Sequence, residues 1–291
     1  MATVHVTDKK IGIPESLYKK ISLLIKRCVR DKPKSDSLIN VEGEEGIGKT
    51  TFSAMIGYIV HCETGRPFSE KNMFFDVKKA VEFAKSTNNQ IIIFDEPATD
   101  LLSAEWWKDT QKNLIRLLMM ARKKRHFMIF NLTKFYKFAE YVVVDRARCM
   151  IRIYSRGEEP QPRFMYIKRK YLEALYNDYR YKKKRNYVKY AKVSGKIRGT
   201  FPDVFDKTKP YNILDTFSLE TYEKEKDKAI MSIGSNEVKK KEKKEVHKLK
   251  KQIATLECPI KNKTDMAQKM GIALRTLLRW VKIEDDEDDK G

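Results

Sequence analysis

Apolar residues along the chain come in short dense runs separated by polar turns. Leu17, Ile21, Leu24, Ile25 and Cys28 recur at helical spacing after Pro14, so residues 14–30 read as a helix with one buried face. The polar stretch 30–36 ends it. Leu38, Ile39 and Val41 then form a first core strand, and residues 51–60 a second helix that closes near Gly65 and Pro67. Met73, Phe74 and Phe75 make a short strand, and Val77 to Lys85 a helix. After the turn 87–90, Ile91 to Phe94 has no polar break, the mark of a strand buried on both faces. A long helix is predicted over 102–124, with Trp106, Trp107, Leu114, Leu117, Leu118 and Ala121 available for burial, and a buried strand over 127–131. Tyr141 to Asp145 reads as a fifth core strand, and 149–154 with 163–167 as a β-hairpin. Strands alternating with helices predict an α/β core with a mainly parallel sheet.

The chemistry is concentrated where the first core strand meets the second helix. There stands Gly43-Glu44-Glu45-Gly46-Ile47-Gly48-Lys49-Thr50, followed by Thr51. Glycines leave no Cβ in the way, so backbone N–H groups can turn onto a phosphate, and the helix adds its positive end. Lys49 would reach the β- and γ-phosphates, and the Thr50 hydroxyl would hold magnesium. The eight-residue pattern gains weight from a partner, the apolar strand that runs into Asp95-Glu96. Asp95 would hold Mg²⁺ directly or through water, and Glu96 would activate the attacking water as general base. Taken alone, Asp95 is equally a strand end that caps the next helix. ATP and Mg²⁺ are thus the expected cofactors.

Two neighbouring readings fail. Pro97 after the carboxylates suggests a transporter-type ATPase, but no Leu-Ser-Gly-Gly-Gln-like signature occurs. Small-molecule kinases share the phosphate loop, but the Asp-Glu pair favours hydrolysis over transfer to a hydroxyl. Asn131, at the tip of its strand, is either a sensor of the γ-phosphate that orients the water or a plain turn residue. Arg146, Arg148 and Arg152 are candidates for an arginine finger acting in a neighbouring subunit's site. Surface or phosphate contact is their alternative role.

The phosphate loop, the apolar Asp-Glu strand, the basic helix end Ala121-Arg122-Lys123-Lys124-Arg125 and the strand ending in an amide together resemble the FtsK/HerA class of DNA-pumping and packaging ATPases. The pattern is also similar to the zonular-occludens-toxin-like ATPases of filamentous phages. The resemblance spans residues 36–170 and departs from the class in having Asn131 where glutamine is usual. It implies a RecA-like P-loop core, hexameric rings and an ATP site completed by a neighbour.

Beyond the core, residues 179–192 alternate tyrosines with lysines and arginines and contain no acidic residue. Arg180, Lys182, Lys183, Lys184 and Arg185 would neutralise phosphates while the tyrosines stack on bases. A solvated helical face is the alternative. Residues 194–222 have no regular period and read as an extended arm draped over the core or a neighbour. Residues 264–280 resemble a helix-turn-helix, with Ala267 at the helix crossing and Gly271 in the turn, and leave Arg275, Thr276 and Arg279 free to face a major groove. A protein-binding helical hairpin is the alternative there. The division expected is a helical segment 1–35, the ATPase core 36–170, a basic segment and arm 171–222, a charged linker 223–250, the small all-α module 251–283 and an acidic tail 284–291.

Composition sharpens the partner. Lys and Arg total 61 against 40 Asp and Glu, a net +21, which points to a polyanion, double-stranded DNA being favoured. No apolar run approaches the ~18 residues that span a bilayer, and the first residues lack the pattern of a secretory signal, so no membrane contact is expected. Four scattered cysteines form no C-x-x-C pair, which fits a reducing cytoplasm, that of the host for a viral protein. Two functions follow. One is an oligomeric DNA translocation or packaging motor of a virus or mobile element, working with another protein of that element. The other is an ATP-switched DNA-binding regulator of replication, partition or transposition.

Overall fold

The structure is a computed structural model that describes residues 2–30, 35–95, 114–119, 121–155, 161–231 and 268. The chain divides into two units, Met1–Ala229 and Ile230–Gly291. Glu96, most of the helix expected over 102–124, the linker beyond 231, the helix-turn-helix-like segment with Arg275, Thr276 and Arg279, and the acidic tail lie outside the described residues.

The first unit opens with a hairpin, β1 (Thr3–Val6) and β2 (Ile11–Pro14), that leads into α1 (Glu15–Val29). The hairpin stands where the sequence pattern predicts only a helical segment. Each of its strands is four residues, too short for a period to be read. The core follows in order: β3 (Ser37–Glu42), α2 (Lys49–Thr64), β4 (Met73–Phe74), α3 (Val77–Ser86), β5 (Ile91–Phe94), a short helix α4 over 114–119, β6 (Phe127–Leu132), β7 (Cys149–Tyr154) and β8 (Arg163–Lys168). Then come α5 (Leu172–Lys182), α6 (Tyr187–Val193), β9 (Arg198–Thr200) and a helix α7 over 219–231.

One seven-stranded sheet runs β4-β5-β6-β3-β7-β8-β9. β4, β5, β6, β3 and β7 are parallel, and β8 and β9 are antiparallel. Successive side chains alternate between faces. Ile39, Val41, Ile91, Ile93, Phe127 and Ile129 pack with α1 and α2 on one side. Leu38, Ile92, Phe94, Met128 and Phe130 pack with α3, α4 and the later helices on the other. Burial on both faces is why these strands read as unbroken apolar runs.

Residues 141–146 correct an expectation. Tyr141–Arg146 is a wide helical turn, and the fifth parallel strand is Cys149–Tyr154. The β-branched run Val142–Val144 favours a strand locally, but the place beside β3 is taken by β7. The three valines are buried as a turn instead, and the buried Asn40 side chain donates to the Val143 carbonyl at 2.9 Å. That bond satisfies a backbone acceptor that would otherwise be stranded in the interior.

The segment after α6 lies over the core. Phe201, Val204, Ile213 and Phe217 are buried on the α2 side of the sheet. The basic segment folds as α5 and α6, and two of its tyrosines, Tyr187 and Tyr190, belong to the core rather than to a surface for bases. With β6 inserted between β3 and β5, the sheet has the strand order of a RecA-like P-loop NTPase.

Candidate nucleotide site

β3 delivers the chain to the phosphate loop through a position that admits only glycine. A Cβ on Gly43 would stand 2.7 Å from the Ile153 carbonyl of β7 and 2.9 Å from the Ile47 side chain. The Gly43 N–H continues the ladder to the Leu132 carbonyl at 3.1 Å. Glu44, Glu45 and Gly46 are exposed, and Gly46 (φ +71°) and Gly48 (φ +93°) are left-handed, which turns the loop back on itself. Gly48 caps α2 with no side-chain hydrogen bond. No capping side chain therefore stands between the loop and the positive end of the helix, the place where an anion is favoured. Lys49 is buried, with its ammonium donating to the Glu44 carbonyl at 2.6 Å across the loop.

Opposite the loop, β5 ends on Asp95, which is fully buried and anchored by its N–H to the Phe74 carbonyl at 2.9 Å. Thr50 Oγ1 reaches both carboxylate oxygens, at 3.2 and 3.1 Å. Phe94 and Phe130 are register partners, so the next residues, Asp95 and Asn131, come together at the end of adjacent strands. The Asn131 amide donates to Asp95 Oδ1 at 2.6 Å and accepts from Ser53 Oγ at 2.5 Å. A carboxylate only accepts, which fixes the orientation of the amide. The second carboxylate oxygen accepts from the Tyr222 hydroxyl. The hydroxyl of Thr50 and the carboxylate of Asp95 are hard oxygen ligands in contact, a donor pair that fits Mg²⁺. The glycine loop at the helix N-terminus and Lys49 across it fit the phosphates of a nucleotide.

The structure brings Gly43 to Thr50, Asp95 and Asn131 to one place. Asn131, expected to face a γ-phosphate, is placed with both ends of its amide engaged, so it bears on the site through Asp95. Sequence reasoning misses Ser53 and Tyr222. Ser53 carries a signal: it is a polar residue in the largely apolar stretch 52–60 of the helix, one turn after Thr50 and on the same face. Tyr222 carries none.

The three arginines part company. Arg146 is buried and paired with Asp36 at 2.5 Å, just before the start of the central strand β3. Arg152 lies beside the phosphate loop but is paired with Glu42 at 2.5 Å and stacked on the Tyr187 ring at 4.0 Å. Burial pushes the Glu42 carboxyl up, against the opposing pull of Arg152 and of the Tyr187 hydroxyl at 2.9 Å. Arg148 is half-buried, and its guanidinium makes no hydrogen bond or ion pair among the described residues. Burial, and then the nearby Arg27, Arg169 and Arg146, push it down to about 10.

Arg180, Lys182, Lys183, Lys184 and Arg185 are all exposed, around the C-terminal end of α5 and the turn that follows. Tyr181 is 72% exposed among them, and Tyr179 lies beneath Lys183 and Arg185. Arg180 pairs with Glu140 at the surface, where such a pair breaks at small cost, and the exposed Lys182 pairs with the buried Asp178, which also accepts from Asn186 and Tyr190. Among the described residues no helix is long and apolar enough to cross a membrane.

No protein-family model matches the sequence, and no curated protein is similar to it. Solved structures are similar in part. The N-terminal domain of zonular occludens toxin from Neisseria meningitidis is 18% identical, covers 63% of this chain and 100% of its own, and has a TM-score of 0.40. A KaiC-like protein from the archaeon Pyrococcus horikoshii is 14% identical over 46% of this chain and 79% of its own, with a TM-score of 0.34. The flagellar accessory protein FlaH from Methanocaldococcus jannaschii is 16% identical over 50% and 82%, with a TM-score of 0.29.

Proposed function

We propose that this chain is a Mg²⁺-dependent ATPase that works as an oligomer to move or package double-stranded DNA. The contact between Thr50 and Asp95 supports the hydrolase reading most directly. It joins the phosphate loop to the carboxylate strand in a single buried site. The N–H groups of 44–50 and Lys49 bind and orient the phosphates, and Thr50 and Asp95 hold the cation. A Mg²⁺ ion held there would supply neutralisation of the charge on the phosphoryl oxygens. Glu96, next in sequence, takes the proton from the attacking water. Arg148 is the arginine assigned to a neighbour's site, because Arg146 and Arg152 are already paired within the chain. The exposed cluster 180–185 and the net charge of +21 support a nucleic-acid partner in the host cytoplasm of a virus or mobile element.

ATP hydrolysis with and without double-stranded DNA, at one salt concentration, tests this for wild type and Glu96→Gln. Strong stimulation by DNA that vanishes in Glu96→Gln is the expected result. The helix-turn-helix-like segment 264–280 favours a second reading, an ATP-switched DNA-binding regulator. Slow turnover indifferent to DNA, with nucleotide-dependent binding to particular sequences, would select it. No hydrolysis under either condition would overturn the ATPase assignment.

A further inference from the structure

Asp95 carries one hydrogen bond for which the nucleotide motifs have no counterpart, the one donated by Tyr222 to Oδ2. Tyr222 comes from 127 positions further along the chain, and its ring is buried against Phe75 and Phe217, with centroids 5.3 and 5.8 Å away. The segment after β9 brings it there. Phe201, Val204, Ile213 and Phe217 fill the core beside α2. The Ser218 N–H then donates to the Glu70 carboxylate at 3.1 Å, and the Thr221 N–H to Ser218 Oγ at 3.2 Å, which pins the first turn of α7. Tyr222 sits one residue beyond that pinned turn.

A buried phenol is costly unless its hydroxyl has a partner. Here the partner is the one described carboxylate placed to hold a cation beside Thr50. Asn131 occupies Oδ1 and Tyr222 occupies Oδ2, so the plane of the carboxylate is fixed from two sides. Each oxygen of an ionised carboxylate has more than one lone pair, which leaves one on the Thr50 side for the metal. Groups that orient a metal ligand in this way account for roughly 10- to 100-fold in metal affinity.

We propose that Tyr222 is a positioning residue for the Mg²⁺–nucleotide site, so that the segment 198–222 completes the site from within the same chain. This rests on the nucleotide reading above. Asp95 then responds to the seating of α7, the helix that leads out of the first unit.

The test uses the full chain and a fluorescent ATP analogue. Binding is followed as Mg²⁺ is titrated, and separately in EDTA, for wild type, Tyr222→Phe and Lys49→Ala. Tyr222→Phe keeps the ring and loses only the hydroxyl. It is expected to need about 10-fold more Mg²⁺ for half-maximal binding, with metal-free binding unchanged and the melting temperature lowered only by the loss of one buried hydrogen bond. An unchanged Mg²⁺ midpoint would overturn the proposal, since the hydroxyl would then serve packing alone. A lower midpoint would also overturn it, because the hydroxyl would be competing with the cation. If Tyr222→Phe proves unstable, the double variant with Asp95→Asn decides. Removing the hydroxyl should have no further effect on the midpoint once the carboxylate is gone, and additive effects would refute the coupling. A wild type that binds nucleotide no better than Lys49→Ala would instead refute the nucleotide site itself, and the proposal with it.

Discussion

Asn131 donates to Asp95 at 2.6 Å across two adjacent parallel strands, and in the same geometry accepts from Ser53 on the phosphate-loop helix. One amide therefore ties β6, β5 and α2 together in the buried floor of the site. Asn131→Ala would strand Ser53 Oγ and remove a donor from Asp95. A buried polar group left unsatisfied costs about 1–3 kcal/mol. Urea denaturation should show a loss of that size, and the Mg²⁺ requirement for nucleotide binding should rise as well. A variant that keeps full stability and normal Mg²⁺ dependence would leave Asn131 as a residue of the strand end only.

Gly43→Ala tests the close approach of β3 and β7. The added methyl meets a backbone carbonyl at 2.7 Å, and the sheet cannot swing that oxygen away as it would a flexible side chain. Forced overpacking of this kind costs about 1–3 kcal/mol. The strain falls at the entrance of the phosphate loop, so nucleotide affinity should drop together with the melting temperature. Calorimetry and a binding titration on the same preparation check both effects.

How much of this could be read from the chain depended on distance along it. The glycine pattern of 43–50 is contiguous, and the strand before Asp95 is an unbroken apolar run, so both could be read from neighbouring residues alone. The run Ile91, Ile92, Ile93 and Phe94 also signalled burial on two faces, which the packing of alternate residues into the two halves of the core bears out. Residues 141–145 misled because a valine run has the same β propensity whether or not a place in the sheet is open to it. Occupancy of that place by Cys149–Tyr154 is a tertiary fact. Tyr222 illustrates the other limit. Its neighbours in sequence are exposed polar residues, and nothing among them signals a partner 127 positions earlier.

His126 supplies a pH dependence. It is fully buried at the start of β6, accepts the Gln90 N–H at Nδ1 (3.2 Å) and faces the Ala84 carbonyl with Nε2 (2.9 Å). A backbone N–H can only donate and a carbonyl can only accept, so the ring is neutral with its proton on Nε2. Burial pushes its pKa below the ordinary 6.5. The unfolded chain therefore binds a proton that the folded chain resists, and stability falls as pH drops through 6.5 and below. At pH values well above that range the effect is absent. His126→Gln, which does not titrate, should flatten the fall in stability on the acid side of 6.5 relative to wild type. Urea denaturation at a series of pH values checks this, and an identical profile in the two proteins would remove His126 as its source.

The exposed cations of α5 and the turn after it can be separated from the C-terminal segment by salt dependence. Each phosphate neutralised by a cation contributes about −0.9 to the slope of log affinity against log salt. Replacing Arg180, Lys182, Lys183, Lys184 and Arg185 together with alanine should therefore make the slope shallower, by about one for each phosphate that is no longer neutralised, alike for all DNA sequences. Stability should hardly change, because these side chains are exposed, and Asp178, the buried partner of Lys182, keeps its bonds from Asn186 and Tyr190. Deleting residues 251–291 should act differently. It should reduce discrimination between sequences more than it changes the slope, since base edges rather than phosphates are read by a helix in the major groove. Fluorescence anisotropy over a salt series, with two DNA duplexes of unrelated sequence, distinguishes the two outcomes. A slope untouched by the fivefold replacement would show that the basic turn is not where DNA binds.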